Sequence, residues 1–161
     1  MYTAALILHS WLRWSALIAG VGATFTALTD REGLPRRSDD VAKAGARADR
    51  WGLALMVALD LQMLVGLLLY FVISPITREA MRDFGTAMAN PGLRFFAVEH
   101  IAMMLIAVVL AHVGRVLARK APTPAARRKR LLICFGLATL LMLLATPWPG
   151  MANGRPLFRV S

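Results

Sequence analysis

The sequence predicts an all-α membrane protein: a four-helix transmembrane bundle forming one domain over residues 1–161. Three observations predict it. The chain is 58% hydrophobic and only 17% charged, with a mean hydropathy of +0.58, whereas soluble domains carry about 25% charge. Four apolar runs, at residues 3–28, 51–73, 95–117 and 131–146, are each long enough, or nearly so, to cross ~30 Å of hydrocarbon as a helix. The runs are continuous and do not alternate, which excludes barrel strands.

The first run carries no basic residue before its apolar stretch and contains His9 and Arg13. It therefore reads as a retained span, not a cleaved signal. Residues 38–50 mix charge with alanine and extend the second span as a surface helix. After the second span, residues 77–84 predict a short helix, stopped by Asn90-Pro91-Gly92. Residues 121–126 form a turn into the Arg127–Arg130 cluster, which either meets anionic lipid heads or only locks topology. The apolar part of the fourth run ends at Ala145, ahead of Pro147-Trp148-Pro149-Gly150, where Trp148 suits an interfacial anchor.

Charge sets the orientation. Thirteen Lys and Arg residues, from Arg31 to Arg50 and from Arg115 to Arg130, flank one side of the predicted spans. Five, namely Arg78, Arg82, Arg94, Arg155 and Arg159, flank the other. This bias puts the basic loops in the cytoplasm and both termini on the outer side. The formal net charge of +10 is thus a topology signal and not a nucleic-acid footprint. One cysteine, Cys134, excludes an internal disulfide and a multi-cysteine cluster. Phosphate loops, zinc-ligand spacings and nucleophile elbows are absent from the sequence, which shows no catalytic site of its own.

The informative residues are the polar ones inside apolar runs: His9, Arg13, Asp60, Gln62, Glu99, His100 and His112. Ionisable groups there are costly and mark function by default. At 1.5 Å per residue, His9 and His100 both lie roughly 8–9 Å below the outer surface. Arg13 is one turn deeper than His9 on the same face, and Asp60, ten residues from Arg50, lies about 15 Å in. Matched depth predicts an Arg13–Asp60 ion pair linking spans one and two. It also predicts that His9 and His100 face each other, as a bis-histidine b-type haem requires, with Arg13, Arg155 or Arg159 near the propionates. The same histidines would serve as packing residues bonded to a carbonyl, a polar neighbour or a lipid head. Glu99 is a further non-metal partner for His100, turned about 100° from it around the helix. His112, twelve residues and roughly 18 Å below His100, belongs to the inner leaflet near Arg115 and reads as a helix-packing histidine, with Met56 at similar depth.

His9-Ser10-Trp11-Leu12-Arg13-Trp14, Leu61-Gln62-Met63-Leu64-Val65-Gly66, Leu93-Arg94-Phe95-Phe96-Ala97-Val98-Glu99-His100 and Thr146-Pro147-Trp148-Pro149 together resemble small four-span bacterial membrane proteins labelled cytochrome B or cytochrome b-like. The resemblance covers all four spans. It implies a multi-pass protein of the bacterial inner membrane, termini periplasmic, carrying haem b and exchanging electrons with quinol or an external carrier. One position departs: the residue before Leu61-Gln62 is commonly histidine in that family, and here it is Asp60. The departure points to a descendant without haem, an accessory subunit packed against a larger respiratory or photosynthetic membrane complex.

Overall fold

The computed structural model describes residues 1–29 and 38–158, with side chains of the second helix described from Gly45 onward. Arg31, Arg36, Arg37 and Arg159, used above, lie outside the described residues, as does the side chain of Lys43. The described chain is all helical. Four long helices form the body: α1 (Tyr2–Thr29), α2 (Ser38–Leu68), α6 (His100–Arg119) and α7 (Pro124–Ala145). Three short ones, α3 (Pro75–Arg82), α4 (Phe84–Ala89) and α5 (Pro91–Arg94), connect α2 to α6.

Local chemistry sets the breaks. Pro75 and Pro91 stand at the first position of α3 and α5, where a missing N–H costs nothing. Ser74 and Asn90 cap these helices: Ser74 Oγ accepts from the Thr77 amide at 3.4 Å, and Asn90 Oδ1 accepts from the Gly92 amide at 2.9 Å. Thr123 and Pro124 start α7 in the same way, so the predicted turn at 121–126 gives way to helix three residues early. The helix expected at 77–84 is two helices, because Asp83 caps a new one through the Thr86 amide and hydroxyl.

The long helices run antiparallel to their neighbours. α1 packs on α2 and α7, α6 packs on α7, and α2 closes the ring against α6 most sparsely. Small residues make the seams. Ala16, Ala19, Ala23, Ala107, Ala111 and Ala138 are buried, while Ile18, Phe25, Leu64, Phe71, Val109 and Leu144 face outward. That arrangement, small inside and large apolar outside, suits helices whose outer surface meets lipid.

Among the described residues three helices are long and apolar enough to cross a membrane: Tyr2–Thr29, Gly45–Ile73 and Pro91–Arg119. α7 differs because Arg127, Arg128, Lys129 and Arg130 occupy its first two turns. The remaining apolar part is about 22 Å long at 1.5 Å per residue. The Arg127–Arg130 cluster does structural work. Arg128 donates to the Ala27 and Leu28 carbonyls at 3.0 and 2.8 Å, and Arg130 to the Leu117 carbonyl at 2.6 Å, so both tie off helix C-termini. Arg127 pairs with Asp49 at 2.7 Å.

α1 approaches α2 closely at Gly22, where an added Cβ would collide with the Trp51 ring carbons. An indole face between two helices has little room to yield. Gly22→Ala is expected to destabilise the bundle by about 1–3 kcal/mol, read from reversible unfolding in mixed micelles. Gly45→Ala, with open space around its Cβ position within α2, serves as the control and should stabilise by up to about 1 kcal/mol.

Candidate functional site

The ends of α1, α2, α6 and α7 opposite the Arg127–Arg130 cluster do not close on one another. They enclose a cavity of about 230 Å³ lined by His9, Arg13, Gln62, His100, Met142 and Arg155, among others. Two π-helical turns flank it, Leu69–Ile73 and Phe95–Glu99. A π turn inserts a residue into the helical ladder and is frequent at functional sites. The second one immediately precedes His100. It is braced by Tyr70, whose hydroxyl donates to the Ala97 carbonyl at 2.7 Å.

His9 and His100 meet across this cavity, their ring centroids 6.2 Å apart and their planes inclined at 68°. A metal–imidazole bond is about 2 Å. Two imidazoles at this spacing could hold one metal ion between them. His100 Nδ1 donates to the Ala145 carbonyl at 2.9 Å, leaving Nε2 as the free nitrogen. Metal-ligating histidines are usually oriented in that way. Phe95 and Phe96 wedge the His100 ring at 5.9 and 6.4 Å. Glu99 turns away to pair with Arg94 at 2.7 Å.

His9 lies against α2 because Gly66 leaves space: a Cβ there would sit 3.2 Å from His9 Cε1. The Gln62 amide Nε2 donates to His9 Nε2 at 3.2 Å. Two buried atoms then lack a partner, His9 Nδ1 and Gln62 Oε1. Turning the Gln62 amide end for end would give its oxygen the His9 Nε2–H and leave Nδ1 as a bare lone pair. Gln62 is only 7% exposed, so it acts on His9 from inside the bundle.

Arg13 does not pair with Asp60. It lines the cavity and donates through Nη2 to the Leu157 carbonyl at 2.6 Å, and its Nε is buried without a partner. Trp14 Nε1 donates to the same carbonyl at 3.1 Å, and Phe158 lies on the Trp11 and Trp14 rings at 5.5 and 5.4 Å. The segment after α7 thus folds back over the mouth of the cavity. It brings Arg155 with it, whose guanidinium lies 5.1 Å over the Phe96 ring. Arg159 lies outside the described residues.

Asp60 pairs instead with His112, Oδ2 to Nε2 at 3.5 Å, on the α2–α6 seam. The reason is angular. Leu59 and Gln62 hold the inward stripe of α2 and are buried, so Asp60 is turned toward α6 and the outside. His112 Nδ1 donates to the Val108 carbonyl at 3.0 Å. Met56 approaches Arg115 Nη1 at 3.9 Å. A carboxylate in an apolar span costs about 3 kcal/mol on insertion scales, so this pair is an expensive feature of the surface.

Sequence reasoning named Gln62 as polar but gave it no role, and it missed Tyr70, the Ala145 carbonyl and the Leu157 carbonyl. Backbone acceptors have no sequence signal, whereas Gln62, one turn from Gly66, could have been placed beside His9. Among the described residues no three or more His, Cys, Asp or Glu side chains converge to hold a bare metal ion. A haem iron needs only two axial groups from the protein. No protein-family model, curated protein or solved structure matches the chain.

Proposed function

We propose that this chain is a four-span protein of the bacterial inner membrane, both termini periplasmic, that binds a b-type haem between His9 and His100 and carries electrons without a reaction of its own. The single observation behind this reading is the pair of imidazoles meeting across the cavity, centroids 6.2 Å apart. His100 would hold the iron through Nε2, kept in orientation by the Ala145 carbonyl. Gln62 holds His9 Nε2, and Nδ1 lies 3.8 Å from the Cβ position of Gly66, so His9 would hold the iron after its ring turns away from α2. Arg13 and Arg155, at the mouth, supply positive charge for propionates. When bound, haem would supply a one-electron iron couple for a quinol or an external carrier. In this reading the short α7 spans by letting its arginines sit at the cytoplasmic interface.

A second reading is an accessory subunit without haem, packed against a larger respiratory or photosynthetic complex. Two observations favour it. The Gln62 amide engages His9 Nε2. The cavity, at about 230 Å³, is also smaller than the ~300–1,000 Å³ of most ligand pockets.

The deciding experiment is a reduced-minus-oxidised visible spectrum of the purified chain with a pyridine haemochrome assay. The expected result is a b-type spectrum approaching one haem per chain. A flat spectrum from folded protein, prepared in cells supplied with haem precursor, removes the first reading in favour of the second.

A further inference from the structure

We propose that two copies of this chain associate side by side in the membrane through the α2–α6 face, with Asp60 of each copy meeting His112 of the other. The starting observation is exposure. The Asp60 and His112 side chains are 49% and 39% accessible, yet each stands in a helix apolar enough to cross a membrane. Around them Val57, Leu61, Leu64, Val109 and Val113 are exposed at helical spacing. A carboxylate and an imidazole in such a setting need a protein neighbour, because lipid tails offer no hydrogen bond.

Within one chain the need is met poorly. The 3.5 Å separation is long for a charge-assisted hydrogen bond. His112 Nδ1 is already engaged by Val108. A carboxylate with about four lone-pair sites has one neighbour.

Charge complementarity selects the occupant. Membrane insertion gives every copy the same orientation, so a two-fold axis between two copies must run along the membrane normal. Such an axis preserves height. Asp60 and His112 touch each other and therefore share one height, so rotation about the axis brings the acid of one copy opposite the base of the other, twice. An acid alone on this face would repel its own image. An acid beside a base at equal height makes the patch self-complementary, the condition for an isologous interface. The apolar side chains above and below the pair then interdigitate with the partner's, where α2 and α6 pack most sparsely.

The test uses the full chain at low density in phospholipid vesicles. It reads stoichiometry by single-molecule photobleaching and affinity by energy transfer between labelled copies. Wild type is expected to be a dimer. Asp60→His presents two imidazoles and His112→Asp two carboxylates, and each is expected to self-associate roughly tenfold more weakly. An equimolar mixture of the two variants is expected to recover association, since two bases then face two acids. As a readout that leaves the pair intact, Val109→Cys is expected to cross-link copies on oxidation and Leu140→Cys, on α7, is not. A monomeric wild type overturns the proposal. So does a mixture no tighter than either variant alone, cross-linking through Leu140→Cys in place of Val109→Cys, or occupation of the face by a different subunit. None of these readouts depends on what fills the cavity.

Discussion

If the chain holds haem as proposed, replacing His100 by alanine should abolish that binding while leaving the bundle folded. The imidazole does three things at once. It presents Nε2 to the cavity, holds the Ala145 carbonyl through Nδ1, and fills the space between Phe95 and Phe96. Alanine removes the only nitrogen that α6 contributes there. Second-shell changes at metal sites already cost about 10–100-fold in affinity, so loss of an axial group should lower haem content by at least that factor. His9→Ala should do the same from α1. His112→Ala provides the control: its ring lies on the α2–α6 seam and does not line the cavity, so haem content should be unchanged. The measurement is Soret absorbance per chain at matched helical circular dichroism. Haem retained in full by His100→Ala would remove that residue from the ligand set.

The second large effect concerns Phe135. This ring is 1% exposed and lies against Gly52 of α2, where an added Cβ would come within 3.0 Å of it. It joins α7 to α2 across the centre of the bundle, below the cavity. Phe135→Ala removes most of the van der Waals contact at that crossing and leaves a hole. In lipid the transfer contribution is small, because a lipid tail is as apolar as the core, so the packing loss dominates. We expect a loss of about 3 kcal/mol, the low end of the range for such truncations in soluble cores. Leu140→Ala, on the outward face of the same helix and 50% exposed, should change stability by less than about 0.5 kcal/mol. Reversible unfolding in mixed micelles compares the two. Equal effects would mean that α7 is not held by this contact.

The two experiments address different parts of the chain for a physical reason. The helix ends opposite the Arg127–Arg130 cluster diverge around the cavity, where polar groups lack partners and the backbone contains two π turns. Toward the other end, alanine and glycine seams bring the helices together, and Phe135 and Leu55 are among the largest fully buried side chains. Phe135 and Leu55 do not line the cavity. Substitutions at His9 and His100 can be read for binding without the whole bundle being lost.

What the sequence determined by itself is position along the helix axis for His9, His100 and Arg13, though not for His112, which counting put in the inner leaflet below Asp60 and which instead meets it. A helix rises 1.5 Å per residue whatever it packs against, so counting residues placed His9 and His100 at matching depth, and they do meet. The same counting put Arg13 level with Asp60. Their heights agree with the pairing of α1 and α2, in which His9 contacts Gln62 and Gly22 faces Trp51. What only the tertiary structure decided is direction around each axis. That angle depends on which stripe of each helix finds the smallest neighbours and on where a π turn rotates the register. Leu59 and Gln62 took the inward stripe of α2, so Asp60 faced His112 and not Arg13. Arg13 was then free for a backbone carbonyl of Leu157, 144 residues away in the chain. The fate of the Arg127–Arg130 cluster was decided in the same way, because the helix C-termini it caps are acceptors that exist only once α1 and α6 have packed beside α7.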